Sequence, residues 1–283
     1  MADYQQPDVV RVVSNLVSGL ERCESFRYPA RSNREAQSTA RMAVKRLNDS
    51  VLGIWERPSL AWMADRLPAG VVPNHLTILG VLGAGITAAG FILSRWSLSW
   101  LWLASLGLVA NWLGDSLDGT LARRRHIERP RFGFFVDHAS DLFSQVIIFL
   151  AVGVSPCAHF AVACLGLIAF LMGFVYTLIG AQVRNTMRIT YFGFGPTEIR
   201  ALLLLGNLCI LAFGVLHLPL RFAPLAEFGP VSGHDLVISI LSMAGVGGIA
   251  VLAIREGRTL AALDPTPAAP PAAGAEPDSG AAR

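Results

Sequence analysis

Six apolar stretches of about 20 residues constrain this sequence more than any other feature. They cover residues 76–94, 96–114, 134–154, 157–183, 201–220 and 236–254. A helix needs about 20 apolar residues to cross the hydrocarbon core of a bilayer. The chain is 53% hydrophobic and has a mean hydropathy of +0.51, and only 15% of its residues are charged, against about a quarter in soluble domains. The sequence therefore predicts an all-α integral membrane protein with six transmembrane helices.

The basic residues indicate how these helices are oriented. Lys and Arg together number 23. All except Arg95 and Arg221 lie before the first stretch, between the second and third stretches, between the fourth and fifth stretches, or after the sixth stretch. Basic residues are enriched in the cytoplasmic loops of membrane proteins. We therefore expect both termini and the loop between the second and third stretches to face the cytoplasm, in what we interpret as a bacterial inner membrane.

The chain divides into four parts by composition. Residues 1–37 are weakly patterned, do not have the apolar core of a signal peptide, and have no role that we can assign. Residues 38–72 are predicted to form amphipathic helices before the membrane domain, which we place at 73–258. Residues 259–283 are rich in Pro and Ala and cannot bury a core, so they are predicted to be a disordered tail.

The amphipathic part is predicted to consist of two helices. The first covers 38–57, and the second begins after Pro58, a residue typical of the first helical turn. Trp55 and Trp62 lie among arginines, which is typical of helices in the cytoplasmic headgroup region. An ordinary packed pair of soluble helices is the alternative.

Two pairs of carboxylates flank the loop between the second and third stretches. Asp115 and Asp118 are three residues apart and Asp137 and Asp141 are four apart, so each pair lies on one helix face. Carboxylates this close to a membrane span are unfavourable unless they are paired, hydrated or bound to metal. Hard oxygen ligands suit Mg²⁺ or Mn²⁺, and two such ions balance four carboxylates and can clamp phosphates. We interpret the four aspartates as ligands of two Mg²⁺ or Mn²⁺ ions; the alternative is a solvated collar of aspartates and arginines.

Small residues and one arginine lie beside these acids. Gly119 and Ala122 follow the first pair, and Gly133 lies one turn before the second. Because these residues lack bulk, a phosphorylated ligand can approach the helix backbone. Arg123 has the planar fork that binds phosphate. The segment therefore predicts a pocket for a metal-bound diphosphate.

The pattern D-x2-D-G-x2-A-R-x9-G-x3-D-x3-D resembles the signature of the CDP-alcohol phosphotransferase (CDP-alcohol phosphatidyltransferase) family. P-N-H-L-T at Pro73–Thr77 is similar to the family's P-N-x-x-T, and the resemblance covers about residues 40–255. The usual gap between Arg and the second Gly is eight residues, whereas this chain has nine. The resemblance implies a six-helix, usually dimeric membrane enzyme of phospholipid biosynthesis. Such an enzyme transfers a phosphoalcohol or phosphatidyl group from a CDP-linked donor to an acceptor hydroxyl and releases CMP.

The resemblance also implies roles for matching residues. The four aspartates would hold the metal ions, and Asp141 would in addition deprotonate the acceptor hydroxyl. Gly119, Ala122 and Arg123 would line the CDP pocket. The expected partners are a CDP-alcohol donor, a lipid or small-alcohol acceptor, membrane lipids and a second copy of the chain as a homodimer, but no nucleic acid.

The acceptor is less well specified. Arg184, Arg188 and Arg200 are candidates for contacts with a phosphorylated acceptor or with lipid phosphates. G-P-T-E at residues 195–198 resembles a segment of the aminoalcohol phosphotransferases, which use CDP-choline or CDP-ethanolamine and a diradylglycerol. A Gly-Pro turn with an acid in the first turn of a helix explains the same four residues.

Two other functions fit part of the pattern. Membrane prenyltransferases also use aspartate pairs, and Asn111 with Asp115 matches the start of their first motif, but their second acidic motif lies far downstream. A cation-coupled transporter would also hold intramembrane acids, although these acids cluster at one membrane face. Asn111 and His138, which neighbour the acids, are interpreted as packing residues.

Overall fold

The structure is a computed structural model of this chain. It describes residues 45–47, 52–184, 186–188, 195–218 and 231–264. Residues 1–37 and most of the predicted tail lie outside the described residues.

Helices dominate the described part of the chain and confirm the all-α class. Their bounds are α1 Gly53–Arg66, α2 Pro73–Leu93, α3 Leu101–Arg124, α4 Pro130–Val154, α5 Phe160–Arg184, α6 Pro196–Phe213 and α7 Gly233–Leu263. A 3-10 turn at Leu98–Trp100 precedes α3. Two short strand pairs join distant segments: β1 Lys45–Leu47 runs parallel to β2 Thr186–Arg188, and β3 His217–Leu218 runs antiparallel to β4 Val231–Ser232.

Within the described part of the chain, five helices are long and apolar enough to cross a membrane, namely α2, α4, α5, α6 and α7. The chain is therefore an integral membrane protein. Helix α3 has the required length, but Asn111, Asp115 and Asp118 lower its hydropathy. That α3 crosses the membrane, and hence that the protein has six transmembrane helices, stays a prediction.

Local sequence sets most helix ends. Pro73, Pro130 and Pro196 each occupy the first turn of a helix, where the missing N–H has no helical partner to lose. Helix α6 ends at Phe213, before the predicted end at 220, because Gly214 adopts a left-handed backbone with φ of 78°. Helix α7 continues past 258 to Leu263, so the predicted disordered tail is wrong for residues 259–263.

The predicted helix over 38–57 is wrong for residues 45–47 and right for residues 53–57, whereas residues 38–44 and 48–51 lie outside the described residues. Residues 45–47 form β1, whose backbone pairs with β2 from a distant part of the chain. Helix α1 begins at Gly53, and Pro58 lies inside it and does not start a second helix. Trp55 and Trp62 are exposed, as a headgroup location requires, and that location stays a prediction.

Helices α2 and α3 pack so closely that their backbones are in contact. A Cβ on Gly83 would lie 2.4 Å from the Asn111 nitrogen, and one on Gly114 would lie 2.3 Å from the Gly80 nitrogen. At the other end, a Cβ on Gly90 would lie 2.3 Å from the backbone nitrogen of Ala104. The order of these contacts makes the two helices antiparallel. Small residues therefore allow the close contact, as expected of membrane helices.

The glycines of the sixth stretch behave differently. Cβ atoms on Gly245 and Gly247 would meet no atom of the described chain within 4 Å. No described atom of this chain therefore packs closely against these two glycines. Gly245 lies on a large cavity between helices α4, α5, α6 and α7.

Candidate active site

Three carboxylates converge where the end of α3 meets the start of α4. Asp115, Asp137 and Asp141 each offer one oxygen, and these oxygens lie within 4.8 Å of one another. The three- and four-residue spacings place them on facing sides of the two helices. Hard oxygens at this separation fit one divalent cation. The structure therefore contains a group of acids able to hold a metal ion.

Asp118 is not one of this three-carboxylate group. It is buried, its Oδ2 accepts a hydrogen bond of 2.7 Å from the Thr77 hydroxyl, and its Oδ1 accepts one of 2.5 Å from the Gly119 N–H. Thr77 closes the P-N-H-L-T segment, so this bond joins the two sequence motifs. No feature of the sequence predicts this contact of Thr77 with the acids.

Arg200 enters the site from α6. Its side chain is 6% exposed, and its Nη1 donates to Asp115 Oδ2 at 2.7 Å while its Nη2 lies 3.4 Å from Asp141 Oδ1. The guanidinium thus offsets part of the repulsion between the clustered carboxylates. Its Nε has no hydrogen-bond partner among the described residues. From the sequence, Arg200 is expected only to contact a phosphorylated acceptor substrate or lipid phosphates, and no local pattern predicts its pairing with the aspartates.

Arg184, the other candidate arginine with a described side chain, has its partner outside the acid cluster. Arg184 pairs with Glu256 on α7 at 2.5 Å, and the Tyr176 hydroxyl donates to the same carboxylate at 2.8 Å. This contact ties α5 to α7. Arg188 lies in β2, and its side chain lies outside the described part.

The predicted CDP pocket is partly recognisable. A Cβ on Gly119 would lie 3.2 Å from Arg123 Nη1, so the absent side chain leaves room for that guanidinium. Arg123 is exposed and donates to the Thr120 hydroxyl at 3.3 Å. A Cβ on Gly133 would meet no described atom within 4 Å, and Ala122 is half-buried. Open space and the exposed guanidinium of Arg123 therefore lie beside the aspartates.

Arg124, at the end of α3, and Arg125, in the α3–α4 linker, have partners other than the four aspartates. Arg124 pairs with Asp65 on α1, and this hydrogen bond holds the pKa of Asp65 below its usual value. Arg125 donates to the backbone carbonyls of residues 67–69 and Val71. A solvated collar would require such arginines to pair with the four aspartates, so these contacts weigh against it. The linker, one residue longer than usual, turns through a left-handed backbone at His126, with φ of 56°.

A cavity of about 1250 Å³ opens beside the acids. Asp137, His138 and Asp141 line one end, and Ser232 and His234 line the other. The wall between them is mostly apolar. His138 stacks on the ring of Phe134, as predicted for a packing residue, but it also faces this cavity.

Comparisons with known proteins agree with the motif. A family model described as CDP-alcohol phosphatidyltransferase matches residues 70–226, more than half of the chain. The chain is 30% identical to Cholinephosphotransferase 1 of Gallus gallus over 147 residues, which cover 48% of this chain and 44% of that protein. It is 36% identical to an uncharacterized protein of Aquifex aeolicus (strain VF5) over 89 residues, which cover 31% of this chain and 42% of that protein.

The chain therefore spans less than half the length of these curated relatives. A structural match is the Mycobacterium tuberculosis phosphatidylinositol phosphate synthase PgsA1 with CDP-DAG bound. It has a TM-score of 0.47 and 20% identity, and the match covers 68% of this chain and 89% of that chain.

Proposed function

The chain belongs to the CDP-alcohol phosphatidyltransferase family, and we propose that it transfers a substituted phosphate group from a CDP-linked donor to an acceptor hydroxyl and releases CMP. One observation carries the proposal. Asp137 and Asp141 belong to the three-carboxylate group and also line the apolar cavity. A site of this kind can hold a charged diphosphate beside a hydrocarbon chain. Soluble CDP and a membrane lipid can therefore meet there.

The residues fit a divalent cation at this position. Asp115, Asp137 and Asp141 supply hard oxygens close enough to share one ion, and we propose Mg²⁺ or Mn²⁺. Asp118 would contribute to a second site, as the family resemblance implies. Bound ions supply charge neutralisation for the donor phosphates and for the departing CMP.

The remaining chemistry belongs to side chains of this chain. Asp141 accepts the proton of the acceptor hydroxyl. The freed oxygen then bonds to the phosphorus next to the alcohol of the donor, and the bond from that phosphorus to CMP breaks. Arg123 holds the diphosphate through its planar fork, and Gly119, Ala122 and Gly133 leave space for CDP beside the helices.

We assign the cavity to a hydrocarbon chain of the lipid substrate. Its volume of about 1250 Å³ exceeds the roughly 300–1,000 Å³ of pockets for drug-sized ligands. The apolar wall favours a long hydrocarbon chain over a small polar alcohol. If the donor is CDP-choline or CDP-ethanolamine, this hydrocarbon chain is part of the acceptor. If the donor is CDP-diacylglycerol, the hydrocarbon chain is part of the donor.

A donor panel tests the proposal. Purified protein with Mg²⁺ or Mn²⁺ is given CDP-choline, CDP-ethanolamine or CDP-diacylglycerol with a matching acceptor, and CMP release is measured. The panel begins with CDP-choline, because one relative is a cholinephosphotransferase. We expect one donor to yield CMP, Asp141→Asn to abolish turnover, and Asp65→Asn on the exposed face of α1 to retain it. Consumption of a prenyl diphosphate with no CMP from any donor would identify a prenyltransferase, and ion flux that survives Asp118→Ala would favour a transporter.

Orientation and assembly form part of the same proposal. We propose that the acid cluster and both termini face the cytoplasm of a bacterial cell and that the chain forms a homodimer. A cysteine placed at Glu128, in the α3–α4 linker, reports the orientation through labelling by a membrane-impermeant maleimide in a background without the native cysteines. Labelling of sealed, right-side-out vesicles would contradict the orientation. Cross-linking in the membrane followed by mass measurement reports the dimer.

A further inference from the structure

We propose that Glu56 is a positioning residue that holds the start of α6, and through it Arg200, against the carboxylate cluster. The inference rests on the proposed function. Glu56 lies on α1, outside every motif that the sequence analysis singled out. Its half-buried carboxylate nevertheless lies where three helices meet. The contacts of this one side chain connect those helices.

The donors to Glu56 come from α3 and α6. Trp112 Nε1 donates to Oε1 at 2.8 Å, and the Ser116 hydroxyl donates at 3.2 Å. The Thr197 hydroxyl donates from α6, at 3.1 Å to Oε1 and 3.2 Å to Oε2. Hydrogen bonds to an ionised carboxylate are stronger than those between neutral groups. Glu56 therefore fastens one turn of α3 to the first turn of α6.

These are the two turns that carry the charged pair of the active site. Ser116 follows Asp115 directly, and Thr197 lies one helical turn before Arg200. The turns meet again where Arg200 Nη1 donates to Asp115 Oδ2 at 2.7 Å. The geometry of that ion pair thus depends on the spacing that Glu56 maintains.

Helix α6 in turn holds the start of α1. The buried carboxylate of Glu198 accepts the Leu52 N–H at 3.0 Å and the Gly195 N–H at 2.8 Å. The starts of α1 and α6 are therefore joined by two carboxylates, each on a different helix. This second connection keeps the starts of α1 and α6 together. Glu56 is therefore held at a fixed distance from the turn of α6 that carries Arg200.

Kinetics of CMP release test the proposal. Glu56→Ala frees the start of α6, and because a displacement of 1 Å can slow a reaction by about 100-fold, we expect a fall in kcat of that order with the donor KM nearly unchanged. Glu56→Gln keeps an oxygen that can accept the same bonds and should restore part of kcat. Thr197→Val removes only the contact with α6 and should reproduce part of the loss.

Asp65→Asn is the matched control. It removes the other carboxylate of α1 that pairs with α3, but that pair is half-exposed and joins the far end of α1 to Arg124. We expect kcat of this variant to equal that of the wild type. A loss of kcat in Asp65→Asn as large as in Glu56→Ala would show that only the general attachment of α1 matters, and would overturn the proposal.

Two further measurements separate positioning from folding. In an Arg200→Ala background, Glu56→Ala should change kcat no further, because the group that it positions is gone; additive losses would contradict the proposal. Amide hydrogen exchange over residues 197–200 should rise in Glu56→Ala and stay unchanged in Asp65→Asn. Exchange does not depend on catalysis, so it reports the positioning even if no CDP donor is turned over. Unchanged exchange in Glu56→Ala would refute the role.

Discussion

Two glycines of α2 should respond in opposite ways to the same substitution. Gly83 faces α3, where an added Cβ would lie 2.4 Å from the Asn111 nitrogen and 2.8 Å from the Gly107 oxygen. Gly85 lies two residues further on, and an added Cβ would meet no described atom within 4 Å. Because the atoms that Gly83 meets belong to backbone, they cannot rotate away. Gly83→Ala must therefore separate α2 from α3 by about 1 Å before the contact reaches the ordinary 3.4 Å.

The magnitudes follow from this geometry. Overpacking costs about 1–3 kcal/mol, and the rigid neighbours of Gly83 place it in the upper part of that range. Alanine in the open helical position of Gly85 gains up to about 1 kcal/mol. A change of 1 kcal/mol moves the Tm of a chain of this size by about 2–4 °C. Gly83→Ala should therefore unfold several degrees below the wild type, and Gly85→Ala at or slightly above it.

Thermal unfolding of the two variants in the same detergent, followed by tryptophan fluorescence, measures the difference. CMP release gives a second readout, because a separation of 1 Å between α2 and α3 also moves Asp115 and can lower kcat by about 100-fold. Gly85→Ala should keep wild-type kcat. If Gly83→Ala is as stable and as active as Gly85→Ala, the close packing of α2 on α3 does not position the site and the reasoning fails.

Three further perturbations test other contacts of the site. Mn²⁺ should raise the Tm of the wild type but not of Asp137→Asn, because a ligand stabilises the folded state only where it binds; an equal shift in both would place the ion elsewhere. Arg200→Met breaks a buried ion pair and should lower the free energy of unfolding by about 3–5 kcal/mol, measured by thermal unfolding. Arg184→Met breaks a more exposed pair and should lower it by about 1 kcal/mol or less. Equal losses in the two variants would contradict this ranking. Leu203→Trp should narrow the cavity and slow turnover of long-chain lipids more than short-chain ones, while Leu208→Trp, which does not line the cavity, should leave that preference unchanged.

Local properties of the sequence determined the class of the fold and the location of the acids. Apolar stretches long enough to cross a bilayer identify helices because every backbone polar group within lipid must be satisfied inside its own helix. The helical period then assigns Asp115 and Asp118 to one face and Asp137 and Asp141 to another. The sequence also shows that Gly83 and Gly85 lie in the first apolar stretch. It did not distinguish Gly83 from Gly85, because that difference depends on where α3 lies.

Contacts between distant segments were decided only by the tertiary structure. Arg200 reaches Asp115 across 85 residues of sequence, and the Thr77 hydroxyl reaches Asp118 across 41. No local pattern marks such pairs, since they depend on which helices become neighbours and how they are rotated. The same holds for Glu56, whose partners lie on two other helices, and for the cavity between α4, α5, α6 and α7. Hydrophobicity and periodicity thus determined which faces carry the chemistry, and helix packing decided which side chains from elsewhere complete it.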